Sequence, residues 1–199
     1  MKKVLITGNR NYGLCQAICN LFDTVDDISY HTISRGDGYN LEKDEDQVRL
    51  ANLMVDDNFD VFINNAALWK FHQVMVAEKV HNTLSESKKK AHLIHIGSTA
   101  DTGVKGRTWR YPTEKKALRA YNRDLTYMAQ GGSNIKSTII SPGSLTTPNV
   151  IKKHPGRALL DVEYIAEIIL WLIQQPDYVN INEISLDPIQ VGAFARERQ

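Results

Sequence analysis

The chain has 199 residues, 42% of them hydrophobic and 24% charged, with a net charge of +1. That length fits one domain with a real core over 1–199, and the balanced charge makes no case for nucleic acid or an anionic membrane as the main partner. No apolar run approaches the roughly 18 residues of a membrane span, and Lys2-Lys3 leads straight into a short run without a signal-peptide pattern, so a cytoplasmic protein is expected.

Val4 to Ile6 predicts a strand that stops at Thr7-Gly8. The turn Gly8-Asn9-Arg10-Asn11-Tyr12-Gly13 follows, and Leu14 to Phe22 has helical apolar spacing. In that order, glycines let the backbone approach a pyrophosphate and the helix N-terminus favours its charge. An ordinary tight turn between strand and helix is the alternative. Cys15 and Cys19 read as small core residues rather than a disulfide or metal site. Ile28 to Ser34 predicts a second strand, ending at Ser34-Arg35. An acid at this tip selects a free ribose 2′-hydroxyl, whereas an arginine accommodates a 2′-phosphate. Arg35, with Arg10 in the glycine turn, therefore points to the phosphorylated cofactor; solvated arginines are the other reading.

Gly38 to Leu41 reads as a very short third strand and Glu45 to Val55 as an amphipathic helix. Asp60 to Ile63 is a buried strand ending in Asn64-Asn65-Ala66-Ala67, where amides and small residues suit a cofactor-lined crevice. One long helix is expected from Phe71 to Lys90, its Lys88-Lys89-Lys90 run a solvated C-terminus. His92 to Ile96 predicts a buried strand ending at Gly97-Ser98, and a loop leads to a helix from Tyr111 that stops at Gly131-Gly132. Ile135 to Ile140 is another strand, ending in Ser141-Pro142-Gly143. Residues 149–161 read as a basic, irregular connection, Val162 to Ile173 as an apolar helix, Asn182 to Leu186 as a last strand and Ala195 to Gln199 as a loose end. Alternating strands and helices predict an α/β fold: a Rossmann-like, doubly wound parallel sheet of about six or seven strands with helices on both faces. Ligands of such sheets bind at the carboxyl ends of the strands, where Gly8, Asn65, Ser98 and Gly143 fall.

Tyr111 and Lys115 are one helical turn apart, and Ser98 precedes Tyr111 at a strand end. A free tyrosine has a pKa of about 10, and a nearby ammonium is expected to lower it. A serine hydroxyl beside the phenol can hold a substrate oxygen, which suits proton transfer to or from a carbonyl or alcohol. The pair alone also reads as a solvated helix face, and Tyr39 with Lys43 repeats the spacing without a strand-ending serine upstream.

Taken together, these residues resemble the short-chain dehydrogenase/reductase family over nearly the whole chain. TGNRNYG resembles its glycine motif, NNAA its NNAG, Ser98 with YPTEK its catalytic serine and YxxxK, and SPGSLTT its PG motif. VNINEISLDP is similar to the final strand of some members. The resemblance implies an NADP(H)-dependent oxidoreductase acting on a small carbonyl or alcohol, with NADP(H) rather than NAD(H) as cofactor and no metal. It implies catalytic roles for Ser98, Tyr111 and Lys115. It implies cofactor contacts for Gly8, Asn9, Arg10, Asn11, Tyr12, Gly13, Leu14, Ser34, Arg35, Asn40, Leu41, Asn65, Ala66 and Ala67, for Tyr111 and Lys115 again, and for Pro142, Gly143, Ser144, Leu145 and Thr147. It also implies a homodimer or homotetramer paired through the helices from Phe71 and Tyr111, with Val76, Val80, Leu118 and Tyr121 as outward apolar candidates.

This would be a shortened member. Its glycine turn is one residue longer than usual, with Cys15 at the place of the last glycine. The segment after Ala67 is too short for the family's extra helix, and the connection after Thr147 is shorter than the usual substrate lid. The helical asparagine has no clear match, since Asn82 falls too late and His72 or Gln73 sits nearer. Lys152, Lys153, His154 and Arg157 in the short lid read as a solvated basic loop rather than an anion site. Two rival readings use the same residues: a non-catalytic NADP(H)-binding redox sensor, and an epimerase working by transient oxidation.

Overall fold

The structure, a computed structural model, describes residues 1–102 and 110–189. Its strands are β1 (Lys2–Thr7), β2 (Ile28–Ile33), β3 (Val61–Asn64), β4 (Ala91–Ile96), β5 (Ile135–Pro142) and β6 (Glu183–Leu186). Its helices are α1 (Gly13–Phe22), α2 (Asp44–Asp56), α3 (His72–Glu86), α4 (Arg110–Gln130), α5 (Pro148–Lys153) and α6 (Val162–Ile173). The strands form one sheet in the order β2-β1-β3-β4-β5-β6, and every neighbouring pair is parallel. The chain leaves β1 toward β2 and returns to β3 on the other side, so a crevice opens above β1 and β3 where the winding reverses.

A parallel sheet covered on both faces buries consecutive residues, so its strands read as unbroken apolar runs rather than alternating ones. Here the alternation shows in the packing instead. Val4, Ile6, Val61, Ile63, Ile94 and Ile140 pack with residues of α1 and α6, while Leu5, Phe62 and Leu93 pack with residues of α2 and α3. Helix α6 presents Val162, Ile165, Ala166, Ile169, Leu172 and Ile173 to its core at helical spacing. Cys15 and Cys19 are buried, unbridged members of the same core. Among the described residues no helix is long and apolar enough to cross a membrane, and no group of three or more His, Cys, Asp or Glu side chains could hold a metal.

Four expectations need correction. Gly38 to Leu41 forms no strand: Ser34 and Asp37 make a capping box that winds Arg35–Asp37 into a 3-10 turn, and Gly38 leaves it with φ 78°. Part of the irregular connection is helical, because Pro148 at the first helical position starts α5. Helix α3 is shorter than Phe71 to Lys90, and its lysines are not a solvated helix end. Lys88 has a positive φ, Lys89 reaches the Val55 carbonyl and Asn58 Oδ1, and Lys90 lies 2.6 Å from Asp177. Finally, Val76 and Val80 are fully buried in the core against the sheet, Leu118 is fully buried, and Tyr121 is half-buried against that core, so none of them faces outward. The outward apolar side chains of α3 and α4 are instead Met75, Tyr127 and Met128. Ala195 to Gln199 lie outside the described residues.

Candidate active site

The carboxyl ends of the strands surround one cleft of about 1200 Å³. At one end lies the glycine turn. Gly8 has φ 146°, and a Cβ there would sit 2.5 Å from Asn65 Nδ2 and 3.2 Å from Cys15 Sγ, so only glycine fits between them. Gly13 has φ 56° at the start of α1. The first turn of α1, Gly13-Leu14-Cys15, lines the cleft, and no side chain caps it. Such free N–H groups favour an anion. The cradle and the uncapped helix thus fit the pyrophosphate of a dinucleotide, even though Cys15 replaces a glycine.

Thr7 holds the next wall. Its hydroxyl accepts from the backbone N–H groups of Asn65 at 3.0 Å and Ala66 at 3.1 Å, while Asn65 Nδ2 donates to the Thr7 carbonyl at 3.0 Å. Asn65, Ala66 and Ala67 line the cleft, as do Asn9, Tyr12, Ser34, Arg35 and Leu41. Three expected cofactor residues are not among its walls: Arg10, Asn11 and Asn40. Arg10 turns away to Asp23 at 3.2 Å and lies over the Tyr30 ring. Asn11 donates its backbone N–H to Asn9 Oδ1 at 2.9 Å, closing the turn on itself. The Asn40 backbone is tied to Asp46 at 2.8 Å. Nor is the tip of β2 free of acids. Asp37 receives the Ser34 hydroxyl at 2.6 Å, and Glu42, a cleft residue, pairs with Arg35 at 2.7 Å.

The other end gathers Ser98, Tyr111, Lys115, Pro142, Gly143, Ser144, Leu145 and Thr147. Tyr111 packs against Trp69 in a tilted contact with ring centroids 6.0 Å apart, and Lys115 Nζ is 5.6 Å from its ring centre. Ser98 is hydrogen-bonded to the phenol, which favours phenolate, but burial dominates and pushes the Tyr111 pKa up, with the Asp101 charge adding to the rise. The expected lowering by Lys115 is therefore overturned in this structure. Lys115 is itself buried: desolvation brings its pKa down to about 8, against the Asp101 and Glu114 charges, and its ammonium donates to Gln73 Oε1 at 2.7 Å and the Ile96 carbonyl at 2.8 Å.

Gln73 is the residue that motif reading only brushed. It stands in the first turn of α3, and its Nε2 donates to the carbonyls of Asn64 at 2.9 Å and Ile96 at 3.1 Å while Oε1 accepts from Lys115. A buried amide with every atom engaged fixes the lysine at the edge of the cleft. Trp69 had no signal beyond its aromatic type. The Tyr39 and Lys43 pair separates: Tyr39 lines the cleft under the Arg49 guanidinium at 3.6 Å, while Lys43 has an extended backbone ahead of α2, so the two share no helical face. Of the basic lid, His154 and Arg157 line the cleft with Val150.

No protein-family model matches the chain. It is 31% identical over 147 residues to an uncharacterised oxidoreductase of Staphylococcus haemolyticus, covering 72% of this chain and 57% of that protein. It is 28% identical over 121 residues to a farnesol dehydrogenase of Aedes aegypti, covering 58% and 49%. The chain thus spans about half the length of the curated relatives it matches. Among solved structures, the 3-alpha-hydroxysteroid dehydrogenase of Pseudomonas sp. B-0831 complexed with NADH aligns with a TM-score of 0.74 at 17% identity, over 94% of this chain and 95% of that one. A short-chain dehydrogenase/reductase of Brucella melitensis, described as a glucose/ribitol dehydrogenase, aligns with a TM-score of 0.72 at 15% identity over 94% and 95%.

Proposed function

Because the chain belongs to the short-chain dehydrogenase/reductase family, we propose that it is an NADP(H)-dependent oxidoreductase of one domain, acting in the cytoplasm on a small carbonyl or alcohol. The observation that carries this reading is the continuity of the cleft, from the glycine cradle and uncapped helix α1 to Ser98, Tyr111 and Lys115. A nicotinamide dinucleotide, when bound, supplies or accepts the hydride. The protein supplies binding, orientation and the proton. Gly8, Gly13 and Leu14 would hold the pyrophosphate, Asn65 to Ala67 the wall beside it, and Leu145 with Thr147 the carboxamide end. The Lys115 ammonium would serve the nicotinamide ribose.

In reduction, Tyr111 gives its proton to the substrate oxygen while Ser98 donates a hydrogen bond to it, and the carbonyl becomes an alcohol. Burial holds the Tyr111 pKa above its ordinary value, so the phenol carries the proton that reduction requires. A broad aldehyde, ketone and alcohol screen following NADPH absorbance tests the proposal. Consumption of NADPH with one substrate class is expected. Tight NADPH binding without any turnover would shift the reading to a redox-sensing binder, and substrate inversion without net cofactor change to an epimerase.

Cofactor choice rests on Arg35. NADPH is expected to bind more tightly than NADH by on the order of tenfold, the worth of one charge-assisted bond. Arg35→Asp should narrow or reverse that preference. Glu42→Gln should widen it, because it frees the guanidinium that Glu42 now holds at 2.7 Å. Equal affinities by calorimetry in the unmodified protein would overturn the assignment. The proposal also takes the protein as a homodimer or homotetramer with two-fold symmetry, paired through Met75, Tyr127 and Met128 on the outer faces of α3 and α4. Light scattering reads this directly, and a monomer mass would refute it.

A further inference from the structure

We propose that Asp101 is a positioning residue for the reaction, clamped by Arg119 so that the turn carrying Ser98 is locked to the helix carrying Tyr111 and Lys115. The inference rests on the oxidoreductase reading of the cleft. Ser98 ends the stretch after β4, and the chain runs directly into the 3-10 turn Thr99–Thr102. Within that turn the backbone N–H of Asp101 donates to the Ser98 carbonyl at 3.1 Å, and that of Ala100 donates to Ser98 Oγ at 3.2 Å. Whatever holds Asp101 therefore holds Ser98.

The holder is on α4. Arg119 grips the carboxylate with two donors, Nε at 2.6 Å and Nη2 at 3.1 Å, and the Asp101 side chain has no solvent exposure. The guanidinium's remaining reach is used on β6, with Nη1 2.7 Å from Glu183 and Nη2 3.3 Å from Ser185 Oγ. Arg123 closes the other side of Glu183 at 2.6 Å. Tyr111, Lys115, Arg119 and Arg123 follow one another at four-residue spacing, so one stripe of α4 carries the reacting pair and then the clamp. Two cations and two carboxylates balance. A buried ion pair is often no more stabilising than apolar residues of the same shape, so its use here calls for a reason other than stability. The contact joins the 3-10 turn and α4 directly.

The clamp also sets the local field. Among the described residues, the charged or titratable groups near Tyr111 include Lys115 and the Arg110–Glu114 pair on α4 and Asp101 of the 3-10 turn, with Asp187 and His154 lining the same cleft and His95 of β4 facing Lys115. The Asp101 carboxylate raises the pKa of both Tyr111 and Lys115. Neutralising it should therefore move the phenol's ionisation to lower pH, and Arg119→Lys, which keeps both charges, separates that effect from a loss of packing.

Asp101→Asn keeps the shape and removes the charge. Turnover is expected to fall by about tenfold to a hundredfold, the scale of a small misplacement at a reacting centre. The Tyr111 phenolate titration, read by ultraviolet difference against Tyr111→Phe in each background, should shift to lower pH, and the alkaline limb of the reduction profile should move with it. Arg119→Lys keeps the cation but loses the fork, so it should lower turnover while leaving the titration closer to that of the unmodified protein. If Asp101→Asn fails to fold by circular dichroism, Arg119→Lys decides. Unchanged turnover and titration in Asp101→Asn, or unchanged turnover in Arg119→Lys, would overturn the proposal. Should the unmodified protein reduce no substrate, the oxidoreductase reading falls. The phenolate titration, which needs no substrate, then still decides: a shift in Asp101→Asn upholds the action of Asp101 on Tyr111, and none refutes it.

Discussion

Tyr111→Phe is expected to cut turnover by about a hundredfold to ten-thousandfold, the range for losing a positioned acid–base group. NADPH affinity should stay within about twofold, because the change removes one hydroxyl and keeps the ring. The structure supports that separation. The ring packs on Trp69 at a centroid distance of 6.0 Å, and phenylalanine preserves this contact and the buried surface around it. The lost atom is the one hydrogen-bonded to Ser98. Lys115→Ala should behave differently, weakening turnover and cofactor binding together, and it would also strand Gln73 Oε1 in the core without its donor. Steady-state kinetics on the reduced substrate, with calorimetry for NADPH, make the comparison. Full activity in Tyr111→Phe would remove Tyr111 from the mechanism.

The strands and their ends are legible in the sequence for a physical reason. A sheet buried on both faces needs mostly apolar runs, and Val4 to Ile6 and Val61 to Ile63 stand out from polar surroundings, as do Leu93, Ile94 and Ile96 around His95. Short-range geometry is legible too: one helical turn separates Tyr111 from Lys115 whatever else the fold does. Local polar chemistry is harder to read. The Ser34 and Asp37 capping box replaces an expected strand with a 3-10 turn, and it also brings the Asp37 carboxylate back to the tip of β2. The groups least visible in advance are those whose partners lie far along the chain. Gln73 meets Lys115 across 42 positions, and Arg119 meets Glu183 across 64. No spacing rule covers such pairs, because only the tertiary fold brings them together. The direction of helix faces fails for a related reason. Val76, Val80 and Leu118 belong to an apolar stripe, but which side of α3 and α4 meets the sheet is settled by packing.

Stability is expected to collapse between about pH 6.5 and pH 3, and two histidines of β4 are the reason. His92 and His95 are both buried, and desolvation pushes each pKa down to about 3. His92 Nε2 lies 2.8 Å from Thr138 Oγ1, while His95 Nε2 has no hydrogen-bond partner among the described residues. Neighbouring cations deepen both shifts, Lys136 and Lys2 at His92 and Lys115 at His95. In the unfolded chain each would titrate at its ordinary value of about 6.5. Below that pH the unfolded state holds a proton that the folded state refuses, so stability falls as pH falls, and it stops falling near the folded value of about 3. Each histidine contributes roughly 1.4 kcal/mol per pH unit in that window, so the pair loses roughly 3 kcal/mol per pH unit, and a fall of two units removes an amount comparable to the about 5–15 kcal/mol of total stability. Carboxylates held low, such as Asp177 beside Lys90 and Glu183 beside Arg123, add their own loss only nearer the ordinary carboxylate range. The interval from about pH 6.5 to about 5 therefore belongs to the histidines. Denaturant midpoints measured across it should drop steeply in the unmodified protein and less steeply in His95→Leu, because one titrating group is gone while His92 and His81, whose pKa burial also lowers, remain. The slope decides, not the absolute stability of the variant. An unmodified protein whose midpoint stays flat from pH 7 to pH 5 would show that neither histidine is buried neutral.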